Sequence, residues 1–260
     1  MPSLTITLIQ PNLLWEDKKA NLPMLAEKIN GIQEKTEVII LPEMFSTAFS
    51  MKPDLLSEKM DGETINWMKN VAAEKKIILT GSVIIEEEKK YYNRLIWMLP
   101  NGKYGLYDKR HLFAYGDEHT HYTAGNKRLI ASVKGWKINL QICYDLRFPV
   151  WSRQGSEMEY DILIYVANWP EKRSLAWKTL LQARAIENQC YVIGVNRVGK
   201  DGNEISYSGD SMIVDPLGEI LYHKNKGEDV FTYTLQKEKI DEVRQRFPFW
   251  KDADSFIINS

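Results

Sequence analysis

The chain has 260 residues, with 34 Lys and Arg against 35 Asp and Glu, a formal charge of −1. That balance argues against a general nucleic-acid partner, which needs a net basic surface to displace counterions, but it leaves a local basic patch open. A hydrophobic share of 44% and a charged share of 27% are close to globular averages and argue against wholesale disorder.

The stretch Met1–Leu8 has no basic n-region and no small-residue cleavage site, so a signal peptide is not expected. Its alternation predicts a strand over Leu4–Gln10. Asp17–Glu34 has helical composition, with Pro23 and Gly31 leaving its ends open. The apolar run within Glu37–Leu41 reads as a buried strand that stops at Pro42. Over Asp61–Lys75, residues Ile65, Met68, Val71 and Ala72 recur at spacings of three and four, which predicts a helix with Asp61 as its cap. Strands are expected at Lys76–Ile85, Tyr91–Leu99 and Lys103–Tyr107, the last two joined by a turn at Pro100-Asn101-Gly102.

Gly135 splits two further strands, Lys127–Val133 and Lys137–Ile142, and a short helix is expected after Cys143. Asp161–Ala167 reads as another buried strand. Ser174–Asn188 is a predicted helix with Ala176, Leu180, Ala183 and Ile186 on one face. Strands follow at Tyr191–Asn196, Ser211–Val214, Glu219–Tyr222 and Val230–Leu235, the middle pair flanking an Asp215-Pro216-Leu217-Gly218 turn. A last helix is expected at Lys237–Phe247. Alternating helices and strands imply a layered α/β fold. With no low-complexity linker and no repeat, residues 1–260 are expected to be one domain, with about 236–260 as a packing or oligomerisation extension. No apolar run approaches the ~18 residues of a membrane span, so no membrane partner is expected and a cytoplasmic location is.

Many signatures are missing. There is no G-x-G-x-x-G dinucleotide fingerprint, no phosphate-binding P-loop, no Cys-x-x-Cys, no His-Glu-x-x-His and no Gly-x-Ser-x-Gly. His119-x-His121 is the one close His pair, and it reads as a polar loop. No metal and no organic cofactor is expected. Two cysteines, Cys143 and Cys190, cannot staple a fold of this size and suit a reducing compartment. Cys190 lies inside a predicted strand with no motif around it and reads as core.

In layered α/β folds, ligands collect where strands end and loops begin. Three predicted strands end beside a chemically capable residue: Glu43 after Leu41-Pro42, Lys109 after Tyr107-Asp108, and Cys143 after Gln141-Ile142. Each signal alone is weak, because a buried cysteine is usually inert and a charge after a strand is usually solvated. With their flanks they resemble something specific. Leu41-Pro42-Glu43-Met44-Phe45, Tyr107-Asp108-Lys109-Arg110-His111-Leu112-Phe113 and Ile142-Cys143-Tyr144-Asp145-Leu146-Arg147-Phe148-Pro149 are similar to the three motifs of the nitrilase superfamily, the carbon–nitrogen hydrolases with a Glu–Lys–Cys triad. Arg184-Ala185-Ile186-Glu187-Asn188, Gly209-Asp210-Ser211 and Asp215-Pro216 extend the resemblance over nearly the whole chain. It implies a four-layer αββα sandwich.

Further stretches resemble the ω-amidase branch, which deamidates 2-oxoglutaramate and 2-oxosuccinamate. They are Lys109–Phe113, Asp117-Glu118-His119-x-His121-Tyr122-x-Ala124-Gly125-Asn126, Tyr165–Pro170 with Arg173-Ser174, and Phe247-Pro248-x-Trp250-x-Asp252-Ala253-Asp254. The resemblance implies Cys143 as nucleophile and Glu43 as general base. Lys109 and the backbone N–H of Tyr144 then stabilise the oxyanion of a reaction that passes through a thioester. It also implies a supporting glutamate, expected to be Glu118 rather than its neighbour Asp117. If a helix begins after Cys143, Arg147 shares its face and is a candidate for a substrate carboxylate; a structural ion pair, as with Asp145, is the alternative. Phe113 and Trp169 are candidate pocket walls. The expected partner is a small-molecule amide, and the expected assembly a homodimer or larger. An N-carbamoyl amine or aliphatic amide hydrolase, a silent scaffold of the same fold, and a papain-like Cys–His hydrolase are the competing readings.

Overall fold

The structure, a computed structural model, describes residues 2–155 and 158–258. Met1, Asn259 and Ser260, the outermost residues of the expected domain, lie outside them, as do residues 156–157. In chain order the strands are β1 (Ser3–Gln10), β2 (Val38–Ile40), β3 (Ile78–Glu87), β4 (Lys90–Met98), β5 (Tyr104–Asp108), β6 (Ile130–Val133), β7 (Trp136–Ile142), β8 (Ile162–Val166), β9 (Tyr191–Val195), β10 (Val198–Lys200), β11 (Ser206–Val214), β12 (Ile220–Asn225) and β13 (Asp229–Gln236). The helices are α1 (Lys18–Asn30), α2 (Pro53–Leu56), α3 (Glu63–Lys75), α4 (Glu118–His121), α5 (Pro149–Ser152), α6 (Ser174–Asn188) and α7 (Lys237–Arg246).

One sheet has the order β13-β1-β2-β3-β4-β5 and the other β10-β11-β9-β8-β7-β6, with β12 paired to β11. The centres are parallel, β1/β2/β3 in one sheet and β7/β8/β9 in the other. Parallel strands buried on both faces need unbroken apolar runs, which is what Val38–Ile40 and Ile162–Val166 supply. In β1 and β2, Leu4, Ile6, Leu8, Val38 and Ile40 join the core shared with the second sheet, while Ile9 and Ile39 join the core under α1 and α3. That outer core is filled by Leu22, Leu25 and Ile29 of α1 and Ile65, Met68 and Ala72 of α3. Trp177, Leu181 and Ala185 of α6 cover the second sheet. Gly194 in β9 lets α6 sit close, since a Cβ there would stand 2.5 Å from Leu181 and 2.7 Å from Trp177. The layers run helix, sheet, sheet, helix.

Several expectations are corrected. The buried face of α6 is Trp177, Leu181, Arg184, Ala185 and Asn188; Ile186 is 55% exposed, and Ala176, Leu180 and Ala183 are half-buried. Arg184 and Asn188 face inward because their polar atoms find partners there: Arg184 donates to the Leu146 carbonyl, and Asn188 accepts from the Gln154 N–H at 3.0 Å. Asp61 does not cap α3. Glu58 does, accepting from the Ile65 N–H at 3.1 Å and the Thr64 hydroxyl at 3.0 Å. The short helix after the seventh strand begins at Cys143 itself, as a 3-10 turn over Cys143–Arg147. The last strand, β13, pairs antiparallel with β1 from Ser3↔Gln236 to Gln10↔Asp229, so the second half of the chain returns to complete the first sheet.

Candidate active site

Two strand ends and the loop beyond a third converge where the sheets face each other. Glu43 lies in the loop beyond β2, Lys109 directly follows β5, and Cys143 directly follows β7. Cys143 has φ +43°, a left-handed conformation that is uncommon outside glycine and turns the chain sharply from strand into 3-10 helix. Exposure falls from 9% at Cys143 to 1% at Lys109 and none at Glu43.

The Lys109 ammonium donates to Glu43 Oε1 at 2.8 Å and to Glu118 Oε1 and Oε2 at 3.0 and 2.8 Å. Glu118 begins α4 and is fully buried, while Asp117 beside it is exposed. Glu118 Oε2 also accepts from the Phe113 N–H at 2.6 Å. Asn93, inside β4, donates from one amide nitrogen to Glu43 Oε1 at 2.8 Å and Glu118 Oε1 at 3.1 Å. Asn168 follows β8. Its backbone N–H donates to Glu43 Oε2 at 2.8 Å and its side chain to the Glu43 carbonyl. The Glu43 carboxylate is thereby held on both oxygens.

Burial alone would push the Lys109 ammonium down, but Glu118 and Glu43 outweigh it and raise its pKa. Burial raises Glu118; Lys109 opposes this, and the like charge of Glu43 adds to it. Burial and then the neighbouring Glu43 carboxylate push the Cys143 thiol well up, with Lys109 pulling the other way. Burial and the Glu43 charge thus both favour the neutral thiol over the thiolate. Burial also raises Cys190, which is fully enclosed in the core and touches none of this machinery.

Cys143 opens into a cavity of roughly 370 Å³. Its walls include Phe49, Phe113, Tyr144, Trp169 and Tyr207, with Lys109 and Asn168 at the floor. Two arginines line it. The Arg147 guanidinium sits 5.0 Å from the Trp169 ring and that of Arg173 sits 5.2 Å from the Phe113 ring. Among the described residues neither has a carboxylate within salt-bridge distance. The two acids on the wall are already engaged: Glu16 by Ser50 and Lys52, Asp201 by the Asn203 and Ile205 N–H groups and the Tyr207 hydroxyl.

The residues that the resemblance assigns to the site, Glu43, Lys109, Cys143, Glu118, Tyr144, Arg147, Phe113 and Trp169, thus lie in or beside one cavity. The spacing argument for Arg147 does not hold, because four residues along a 3-10 helix fall on different faces. Cys143 and Arg147 both line the cavity because the turn itself forms its rim. The alternative ion pair with Asp145 does not form either. Asp145 points inward, to Tyr107 and His111. His119 and His121 are exposed. Sequence reasoning misses Asn93, and it gives no role to Asn168 and Arg173 although both lie in the stretch that resembles the ω-amidase branch. An asparagine inside the apolar strand Tyr91–Leu99 was a usable signal, since a buried polar side chain needs a partner.

A family model for carbon–nitrogen hydrolases matches residues 5–245. The ω-amidase YafV of Escherichia coli (strain K12) is 46% identical over 257 residues, 98% of this chain and 99% of that protein. The 2-oxoglutaramate amidase of Bacillus subtilis (strain 168) is 30% identical over 251 residues, 95% of this chain and 96% of that protein. Among solved structures, XC1258 of Xanthomonas campestris, a CN-hydrolase superfamily protein with an arsenic adduct in its active site, superposes with a TM-score of 0.97 at 43% identity, covering 100% of both chains.

Proposed function

The chain belongs to the carbon–nitrogen hydrolase family, and on that premise we propose that it cleaves the terminal amide of small 2-oxo acid amides, 2-oxoglutaramate and 2-oxosuccinamate, releasing ammonia and the 2-oxo dicarboxylate. The observation that carries this reading is a buried Glu43–Lys109–Cys143 cluster under a small cavity whose rim holds two arginines with no acid partner among the described residues.

Glu43 takes the proton of the Cys143 thiol as sulfur attacks the amide carbonyl, and a C–S bond forms. The raised thiol pKa makes this transfer necessary, and the donors on Glu43 keep its carboxylate aimed. The oxyanion that develops is met by Lys109 and the Tyr144 N–H, at roughly 3 kcal/mol per donor in comparable sites. At rest the Lys109 ammonium contacts Glu43 Oε1 and both Glu118 oxygens, so the oxyanion competes with these carboxylates for its hydrogens. Glu118, gripped by Phe113 and Asn93 as well, keeps the ammonium in place while that happens. Glu43 returns the proton to nitrogen as the C–N bond breaks, and ammonia leaves. Water, deprotonated by Glu43, then attacks the thioester, the C–S bond breaks, and the thiol is restored.

The substrate carboxylate is held at the rim by Arg147, with Arg173, beside Phe113, as a second cation of the lining, and Phe113 and Trp169 confine the short acyl chain. The near-neutral chain supplies no long-range field, so these local cations carry the recognition. We also read the protein as a cytoplasmic homodimer or larger assembly. Exposed Leu175, Ile186, Leu217 and Ile220 on α6 and the β11–β12 hairpin offer an apolar face to a second copy. The segment from residue 236 serves as a packing extension, with Lys237 and Arg244 of α7 both reaching Asp161.

Steady-state ammonia release tests the substrate reading. The two 2-oxo acid amides should exceed N-carbamoyl amines and uncharged aliphatic amides in kcat/KM by about 10²-fold or more, the scale of a fully used charge-assisted contact. Preference for an uncharged aliphatic amide would refute it.

A further inference from the structure

We propose that Asp145 is a positioning residue for the Cys143 nucleophile: its buried carboxylate bolts the turn that carries Cys143 to the strand end that carries Lys109. The inference rests on reading Cys143 as the nucleophile.

Asp145 has no solvent exposure and does not line the cavity. Its Oδ2 accepts from the Ile142 N–H at 3.0 Å and from the Tyr107 hydroxyl at 2.7 Å. Its Oδ1 accepts from the His111 N–H at 2.9 Å and meets His111 Nδ1 at 2.8 Å. Four partners use the acceptor capacity of one carboxylate. They come from two different sheets. Ile142 ends β7 and directly precedes Cys143, whereas Tyr107 is in β5 and His111 lies two residues past Lys109.

The partners are themselves fixed. Trp151 Nε1 donates to the Tyr107 oxygen at 2.9 Å. The His111 ring stacks on Phe148 at 3.8 Å with an interplanar angle of 6°. A left-handed φ at a non-glycine residue persists only where its surroundings over-determine it. Here Asp145, two residues after Cys143, holds the N–H of Ile142, the residue before it, and so closes the turn on both sides of Cys143. The same carboxylate, through His111 and Tyr107, sets where the Lys109 segment lies relative to that turn. Glu43 makes no bond in this network. The Cys143–Lys109 geometry therefore has a support separate from the Glu43–Lys109–Glu118 cluster.

Two variants test this. Asp145→Asn sets an amide nitrogen against one of the two N–H groups in place of an acceptor, and Tyr107→Phe leaves the carboxylate but removes the hydroxyl that donates to it and that accepts from Trp151 Nε1 and the Arg110 N–H. With 2-oxoglutaramate, kcat/KM should fall by about 10²-fold in Asp145→Asn and about 10-fold in Tyr107→Phe, the scale of a small misplacement of reacting groups. KM should stay within about threefold, and alkylation of Cys143 by iodoacetamide should slow in the same order, a change that stability alone would not produce. Cooperative melting above the assay temperature shows that each variant is folded. A folded Tyr107→Phe with wild-type turnover and wild-type alkylation overturns the proposal, whether or not Asp145→Asn folds. Ammonia release retained by Cys143→Ala would instead overturn the nucleophile reading. An inactive Cys143→Ala beside a wild-type-like Tyr107→Phe would overturn the Asp145 role alone.

Discussion

The Lys109 ammonium lies 2.8 Å from the Glu43 carboxylate, and the two are 1% and 0% exposed. So deeply buried, the two carboxylates around Lys109 depend on its charge, whereas Lys109 itself has both Glu43 and Glu118. Lys109→Met deletes the cation shared by Glu43 and Glu118, so two carboxylates remain side by side. Urea unfolding at neutral pH should show a loss of roughly 3–5 kcal/mol, together with loss of turnover. Glu118→Gln should cost much less stability, because Lys109 keeps Glu43 and the Gln oxygen still accepts. A Lys109→Met variant as stable as the parent would show that the cluster is not the buried, mutually dependent unit described.

Arg147 has no acid partner among the described residues, so its charge is free for a ligand. Arg147→Ala should raise KM for 2-oxoglutaramate by about 10-fold to 10²-fold, the value of a hydrogen bond to a charged group. Turnover of an uncharged amide of similar length should be nearly unchanged. Equal losses on both substrates would mean that Arg147 supports the Trp169 wall rather than binding a carboxylate.

Asp210 gives a pH prediction. Burial alone would raise its pKa, but hydrogen bonds from Ser208, Asn225, Ser174 and His223 reverse this and bring it down to about 2. Its ordinary value is ~3.9, so the folded state prefers the carboxylate. The resulting stability is fully present above ~3.9 and is lost as pH falls towards 2. Asp210→Asn should therefore be less stable than the parent at pH 7, with the gap closing as pH drops from ~4 to ~2. Urea midpoints at a series of pH values measure this. Because Ser174 opens α6 next to Arg173, the variant should also loosen that wall. A gap that is constant with pH would contradict the assignment.

Much of this was legible in the sequence because chemistry sat at strand ends. Glu43 and Cys143 follow apolar strands and Lys109 a more exposed one, each a weak signal alone, and the resemblance of their flanking runs is what joins them and implies Glu118. What escaped is what strands and helices hide. Asn93 lies within an apolar strand, where a single polar letter carries little weight, yet it joins the two carboxylates. The inward face of α6 was misread because Arg184 and Asn188 look like solvent-facing residues until their backbone partners are known. The pairing of β13 with β1 joins residues more than two hundred positions apart, and no local pattern announces that. The preference for Glu118 over Asp117 came from the resemblance, and its physical ground is visible only in the fold, where Glu118 is buried on Lys109 and Asp117 is exposed.

The most direct test of the account is ammonia release from 2-oxoglutaramate by Cys143→Ala and Cys190→Ala, each checked for a native melting transition. Cys143→Ala should lose at least about 10³-fold in kcat, because it removes the sulfur that would carry the acyl group, and Cys190→Ala should stay within a few-fold of the parent. Wild-type release by a folded Cys143→Ala, or its loss in a folded Cys190→Ala, would contradict the account.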